Sequence, residues 1–159
     1  NESSRRSSSV IAKTFLPKNM PKARARVSKS KPNVISFACK DQYGEDETVP
    51  YAFLDAKGSV ASIKRLLHRN TKVINQPIIK LCLNTPFDKP VEYTVSCSSG
   101  WTRKRIVQEI SRKYQSIYST KKSRIKHGVW YDKIKQLQLV SIYQMTDTDT
   151  SQYGVEIDF

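Results

Sequence analysis

Apolar residues fall at two different spacings along this chain, and each spacing marks a kind of element. Beyond Trp101, the residues Ile106, Val107, Ile110, Tyr114, Ile117 and Tyr118 recur three and four positions apart. That period puts them on one side of an α-helix, with Lys104, Arg105, Arg112 and Lys113 opposite. Thr102 stands just before the pattern and is its best N-cap, because a threonine hydroxyl can accept from an open N–H of the first turn. A shorter helix is read over residues 59–69, capped by Ser59, with Val60, Ile63, Leu66 and Leu67 on one face.

Elsewhere the period is two. Ile79, Leu81 and Leu83 alternate with Ile78 and Cys82, and Val91, Tyr93 and Val95 alternate with Glu92, Thr94 and Ser96. These are strands, and the Pro-containing turn over 84–90 makes them an antiparallel pair. Residues 33–39 have strand composition and are expected to form a hairpin with 49–54. A short helical turn over Trp130, Ile134 and Leu137 leads into a strand from Leu137 to Met145. An acidic Thr/Asp turn and a last strand over 153–159 complete a second hairpin. The elements describe an α+β domain over 34–159, with a mixed, mostly antiparallel sheet and two main helices. Residues 1–33 form a basic extended N-terminal arm whose composition is that of a segment disordered on its own. Its only anchor-like positions are Val10, Ile11, Phe15, Leu16 and Met20.

Composition changes this picture mainly through charge. The 159 residues carry 28 Lys and Arg against 14 Asp and Glu, a net charge of +14. That balance points to a polyanionic partner: RNA, DNA, an acidic membrane surface or an acidic protein; charge kept for solubility is the plain alternative. The cations are uneven. Arg5, Arg6, Arg24, Arg26, Lys29 and Lys31 lie in the arm and are read as its contacts to phosphates or carboxylates. Arg103, Lys104 and Arg105 fill the first turn of the long helix, where cations oppose the helix dipole. The Ser/Gly loop 97–100 ahead of them suits an anion at open N–H groups, with a solvated basic face as the alternative. Lys121, Lys122, Arg124 and Lys126 follow as a basic loop. Tyr114, Tyr118, Trp130 and Tyr131 interleave with these cations, a combination that suits single-stranded RNA. The two tyrosines on the apolar stripe are assigned to the core, and neither an RNP1-like nor a GXXG signature is present.

Catalytic chemistry finds little footing. Cys39, Cys82 and Cys97 have no CxxC spacing, and with only His68 and His127 a four-ligand zinc site is not expected. Asp41, Glu45, Asp46 and Glu47 lack calcium-loop spacing and read as a solvated turn. His127, Asp132, Cys97 and Tyr131 have no motif that would make them a catalytic set. No cofactor is implied. No apolar run reaches membrane-span length and no signal peptide is read, so the expected setting is intracellular (cytoplasm, nucleus or organelle) or inside a virus particle.

Thr102-Arg103, Ile106, Ile110, Tyr114 and Ile117-Tyr118, followed by Gly128-Val129-Trp130, Ile134, Leu137, Leu139 and Ile142, carry a resemblance. They are similar to a domain of unknown function found in plant and protist proteins and in large DNA viruses. Its helix has the form TRxxL…I…Y…IY, ahead of a GIWGHDIxDLxLxxI segment. The resemblance spans the C-terminal third to half of the chain. It implies a compact fold and brings no activity with it. Where the family has Gly-His-Asp after the tryptophan, this chain has Tyr131, Asp132 and Lys133, so a site built on that His-Asp pair is absent here.

These features are those of a non-enzymatic structural subunit of a large assembly, a virion, capsid or ribonucleoprotein particle. Its basic arm and basic helix face would contact other protein subunits or a polyanion. The alternative is a stand-alone, sequence-tolerant nucleic-acid-binding domain.

Overall fold

The computed structural model describes residues 33–43 and 47–159. The arm, with its assigned contacts at Arg5, Arg6, Arg24, Arg26, Lys29 and Lys31, lies outside the described residues, as do Glu45 and Asp46. The fold is α+β. Its sheet has the order β1 (Val34–Ser36), β9 (Gln138–Gln144), β10 (Gln152–Asp158), β6 (Ile78–Leu83), β7 (Val91–Ser96), and β4 (Ala52–Phe53) also pairs with β9. The pairing of β10 with β6 is parallel and the other pairings in this sheet are antiparallel.

The β9–β10 and β6–β7 hairpins form as their alternation implies. Ile79, Leu81 and Leu83 are buried on the inner face together with Tyr153, Val155 and Ile142. On the outer face the ring of Tyr143 lies across Gly154, so close that a Cβ there would sit 2.5 Å from the ring. The inner face packs with the stripe of α2 (Arg103–Tyr118), and Ile106, Val107, Ile110, Tyr114, Ile117 and Tyr118 are all buried. Thr102 caps this helix, its Oγ1 accepting from the Arg105 N–H at 3.2 Å.

Three expectations are corrected. The first concerns the hairpin between 33–39 and 49–54. Only Cys39–Lys40 (β2) and Thr48–Val49 (β3) pair with each other. β1 and β4 instead bind the same edge of β9 in succession, at Ser141–Tyr143 and at Gln138–Leu139. The Phe37 N–H donates to the Val140 carbonyl between them. A full hairpin would have satisfied these strands with each other and left the edge of β9 open.

The second concerns the short helix. It runs over α1 (Ala56–Arg65) and is capped by Asp55, whose carboxylate accepts from the Gly58 N–H. Ser59 lies inside the helix and is buried along with Ser62, whereas Val60 is 57% exposed. Ser62 Oγ accepts from the Phe53 N–H and its carbonyl receives the Cys39 thiol, so this face is joined by hydrogen bonds. Leu66 and Leu67 are drawn out of the helix by Cys39 and by the Ala38 carbonyl, and the helix therefore stops before 69.

The third concerns the basic loop. Residues 121–126 are helical, within α3 (Lys121–His127), which Thr120 caps at one end and Gly128 at the other. Trp130 is 56% exposed; the buried tryptophan is Trp101, held by the pairing of β8 (Trp101–Thr102) with β5 (Lys72–Ile74). Of the helical turn expected over 130–137, only Ile134–Gln136 are helical, as a short 3-10 turn.

Burial pushes the Cys39 thiol up to about 11, with the Arg65 charge opposing the shift. The unfolded thiol ionises near 9.0, so the folded state is favoured fully below that value. The advantage is lost as pH rises through about 11. Tyr114 and Tyr118 are shifted upward in the same sense, first by burial. Urea unfolding followed from neutral to alkaline pH is therefore expected to show stability falling above pH 9, and Cys39 should resist alkylation near neutrality. A flat profile, or rapid labelling of Cys39 in the native protein, would contradict this.

Candidate polyanion-binding surface

The seven cations assigned to the folded domain do not make one patch. Arg103, Lys104 and Arg105 stand at the start of α2, and Lys121, Lys122, Arg124 and Lys126 stand on α3 beyond its end. The 16 residues of α2 set the two groups about 24 Å apart.

At the first group, backbone pairing removes much of the expected anion cradle. The Lys104 N–H donates to the Arg69 carbonyl at 3.0 Å, and the Arg105 N–H is taken by the Thr102 cap. Arg103 Nε donates to the Ser36 carbonyl at 3.0 Å, which ties α2 to β1. Arg103 is thus a structural tether. Lys104 and Arg105 remain exposed and, with Cys97, Ser99, Gly100, Thr102 and Gln108, line a shallow depression of about 220 Å³.

The second group is built differently. Arg124 Nη1 donates to the Tyr118 carbonyl at 2.7 Å, closing α3 back onto the end of α2. A cation at a helix C-terminus is favoured by the dipole, which explains the arginine without an external ligand. Lys121, Lys122 and Lys126 are exposed. Gly128 then ends the helix with φ 64, and its N–H satisfies carbonyls of the last turn. The chain leaving it is zipped to the 84–90 turn. Asp88 N–H donates to the Gly128 carbonyl, Phe87 bridges Val129, and Trp130 N–H donates to the Pro86 carbonyl. In the sequence α3 is marked only by its two caps, Thr120 and Gly128.

The groups weighed for catalysis pair locally. His127 Nδ1 meets the Ser123 carbonyl at 2.9 Å, Cys97 Sγ lies 3.6 Å from Ser99 Oγ, and the Tyr131 hydroxyl donates to Gln136. Among the described residues no group of three or more His, Cys, Asp or Glu is arranged to hold a metal ion. No helix among them is long and apolar enough to cross a membrane. One ion pair is found among the described residues, Arg112 to Glu109 at 2.7 Å.

The two kinds of cation separate experimentally. Arg124→Gln should cost about 1.5–3 kcal/mol of stability through the lost charged hydrogen bond. Lys126→Gln should stay within about 0.5 kcal/mol. Gly128→Ala should cost about 1–2 kcal/mol, because a side chain is strained at positive φ and its Cβ would meet Asp88 at 2.7 Å. Urea midpoints of the three variants check the order. Comparison of the chain with protein-family models, with curated proteins and with solved structures yields no match.

Proposed function

We propose that this protein is a non-enzymatic structural subunit of a large assembly, a virion, capsid or ribonucleoprotein particle. In it the basic arm over 1–33 and the exposed lysines at the ends of α2 bind partner subunits or a polyanion. The observation that carries the reading is the placement of Lys104 and Arg105 at one end of a buried helix and of Lys121, Lys122 and Lys126 beyond the other. A rigid element with cations at both ends can bridge two anionic surfaces. The net charge of +14 supplies long-range attraction to them.

Helix energetics support an external partner. Lys104 and Arg105 occupy the first turn of α2, where cations oppose the dipole. Each costs about 0.3–1 kcal/mol when exposed. Charges set against their own helices are readily understood if something outside rewards them.

In native extracts the protein is expected to sediment with a particle far heavier than its own 18.2 kDa. Deleting residues 1–33 should move it to light fractions. Sedimentation of the full chain at monomer mass, or undiminished incorporation of the shortened chain, would overturn the proposal.

A further inference from the structure

Aromatic side chains in this fold have two fates. Tyr114 and Tyr118 are buried and donate their hydroxyls to the Thr85 and Tyr131 carbonyls. Trp101 is wholly buried. Trp130 and Phe159, by contrast, are 56% and 48% exposed. The Phe159 ring meets Trp130 edge-on at 5.7 Å and stacks on Tyr131 at 4.3 Å. The Trp130 backbone is fixed by Pro86, so the indole is supported from behind and held in place. A large ring held half in water is more informative than a single exposed leucine.

Lys122 and Lys126 stand one turn apart on α3, at i and i+4, which places them on one face of the helix. Between α3 and the segment carrying Trp130 lies a cleft of about 330 Å³, lined by Lys121, Arg124 and Ile125 but also by Asp88 and Asp132. Cations and carboxylates share that lining, whereas Lys122 and Lys126 stand outside it and are exposed, free to meet phosphate. Asp132 and Asp158 adjoin the rings of Tyr131 and Phe159 in sequence. That disfavours burial of the rings beneath an anionic headgroup layer, whereas base edges offer N–H donors to carboxylates. A base presents a broad aromatic face to the indole, which the carboxylate side chains of an acidic peptide do not.

We infer that Trp130, backed by Phe159 and Tyr131, and the Lys122/Lys126 face of α3 bind single-stranded nucleic acid. One base stacks on the indole and the adjoining phosphates pair with the two lysines. Single strands are specified because an unpaired base can offer its face to a side chain, which a duplex cannot do without opening. This rests on the reading that the cations of α3 meet a polyanion, and it names that polyanion.

The buried Trp101 makes the test direct, since Trp130 alone of the two tryptophans can touch an added base. The full chain is titrated with short oligo-U and oligo-dT at low salt while tryptophan emission is followed. Both strands should quench it, and the tighter of the two identifies RNA or DNA. Trp130→Ala should weaken binding roughly 5- to 160-fold, the range for loss of one base stack. Trp130→Phe, which keeps a ring, should stay within a few-fold of the parent. Lys122→Gln with Lys126→Gln should lower the slope of log K against log salt by about 1.4. Emission from Trp101 and far-UV circular dichroism verify that each variant is folded. Affinity unchanged in Trp130→Ala would overturn the inference. So would a duplex, polyglutamate or phosphatidylserine vesicles that bind and quench as well as the single strands. None of these results touches the assembly proposal, which sedimentation and arm deletion decide separately.

Discussion

The hydroxyl of Tyr114 donating to the Thr85 carbonyl at 2.7 Å is the contact on which the placing of α3 and Trp130 depends. It reaches from the centre of the buried helix to the start of the 84–90 turn, and its ring packs on Phe87 at 5.4 Å. The turn is thereby fixed to the core, and its Pro86, Phe87 and Asp88 in turn hold residues 128–130 by backbone hydrogen bonds and a bridge. An apolar stripe, one buried phenol and one turn thus decide where Trp130 and the lysines of α3 stand. A buried acceptor left without its donor costs about 1–3 kcal/mol, so this chain of contacts has little tolerance for loss at its first link.

Much of the core could be read from the residues because spacing and burial coincide there. The stripe of α2 shows period 3.6 and is buried at each of its six assigned positions. The alternation of β6 and β7 likewise matches which residues face inward. The errors have physical causes. The buried face of α1 includes Ser59 and Ser62 beside Ile63 and Leu66, so apolar spacing alone marks only part of that face, includes the exposed Val60, and misses the Asp55 cap. The partner of a two- or three-residue strand is a long-range choice, and β1 and β4 found β9 about a hundred residues away. α3 has no buried residue and therefore no stripe to show, and only its caps betray it.

The candidate surface was legible in charge but not in accessibility. Composition cannot distinguish Arg103 and Arg124, whose guanidinium groups are joined to the Ser36 and Tyr118 carbonyls, from the exposed Lys104 and Lys122. That distinction matters because a cation with a backbone partner stabilises the fold, whereas an exposed one adds to the field outside it. The aromatics sorted in the same way. Tyr118 turned inward and Trp130 outward, and Phe159, far from the basic tract in sequence, came to lie against Trp130 and Tyr131.

The position of β10 has a consequence for synthesis. It is the middle strand of the sheet, antiparallel to β9 on one side and parallel to β6 on the other. Without residues 152–158, β6–β7 and β9 with its short neighbours are two fragments, each with an open edge. Such edges invite pairing with other chains. Closure of the sheet is therefore a late, nearly all-or-none event in the making of this domain, and a nascent chain interrupted before Gln152 is left in two halves that holding chaperones are suited to shield.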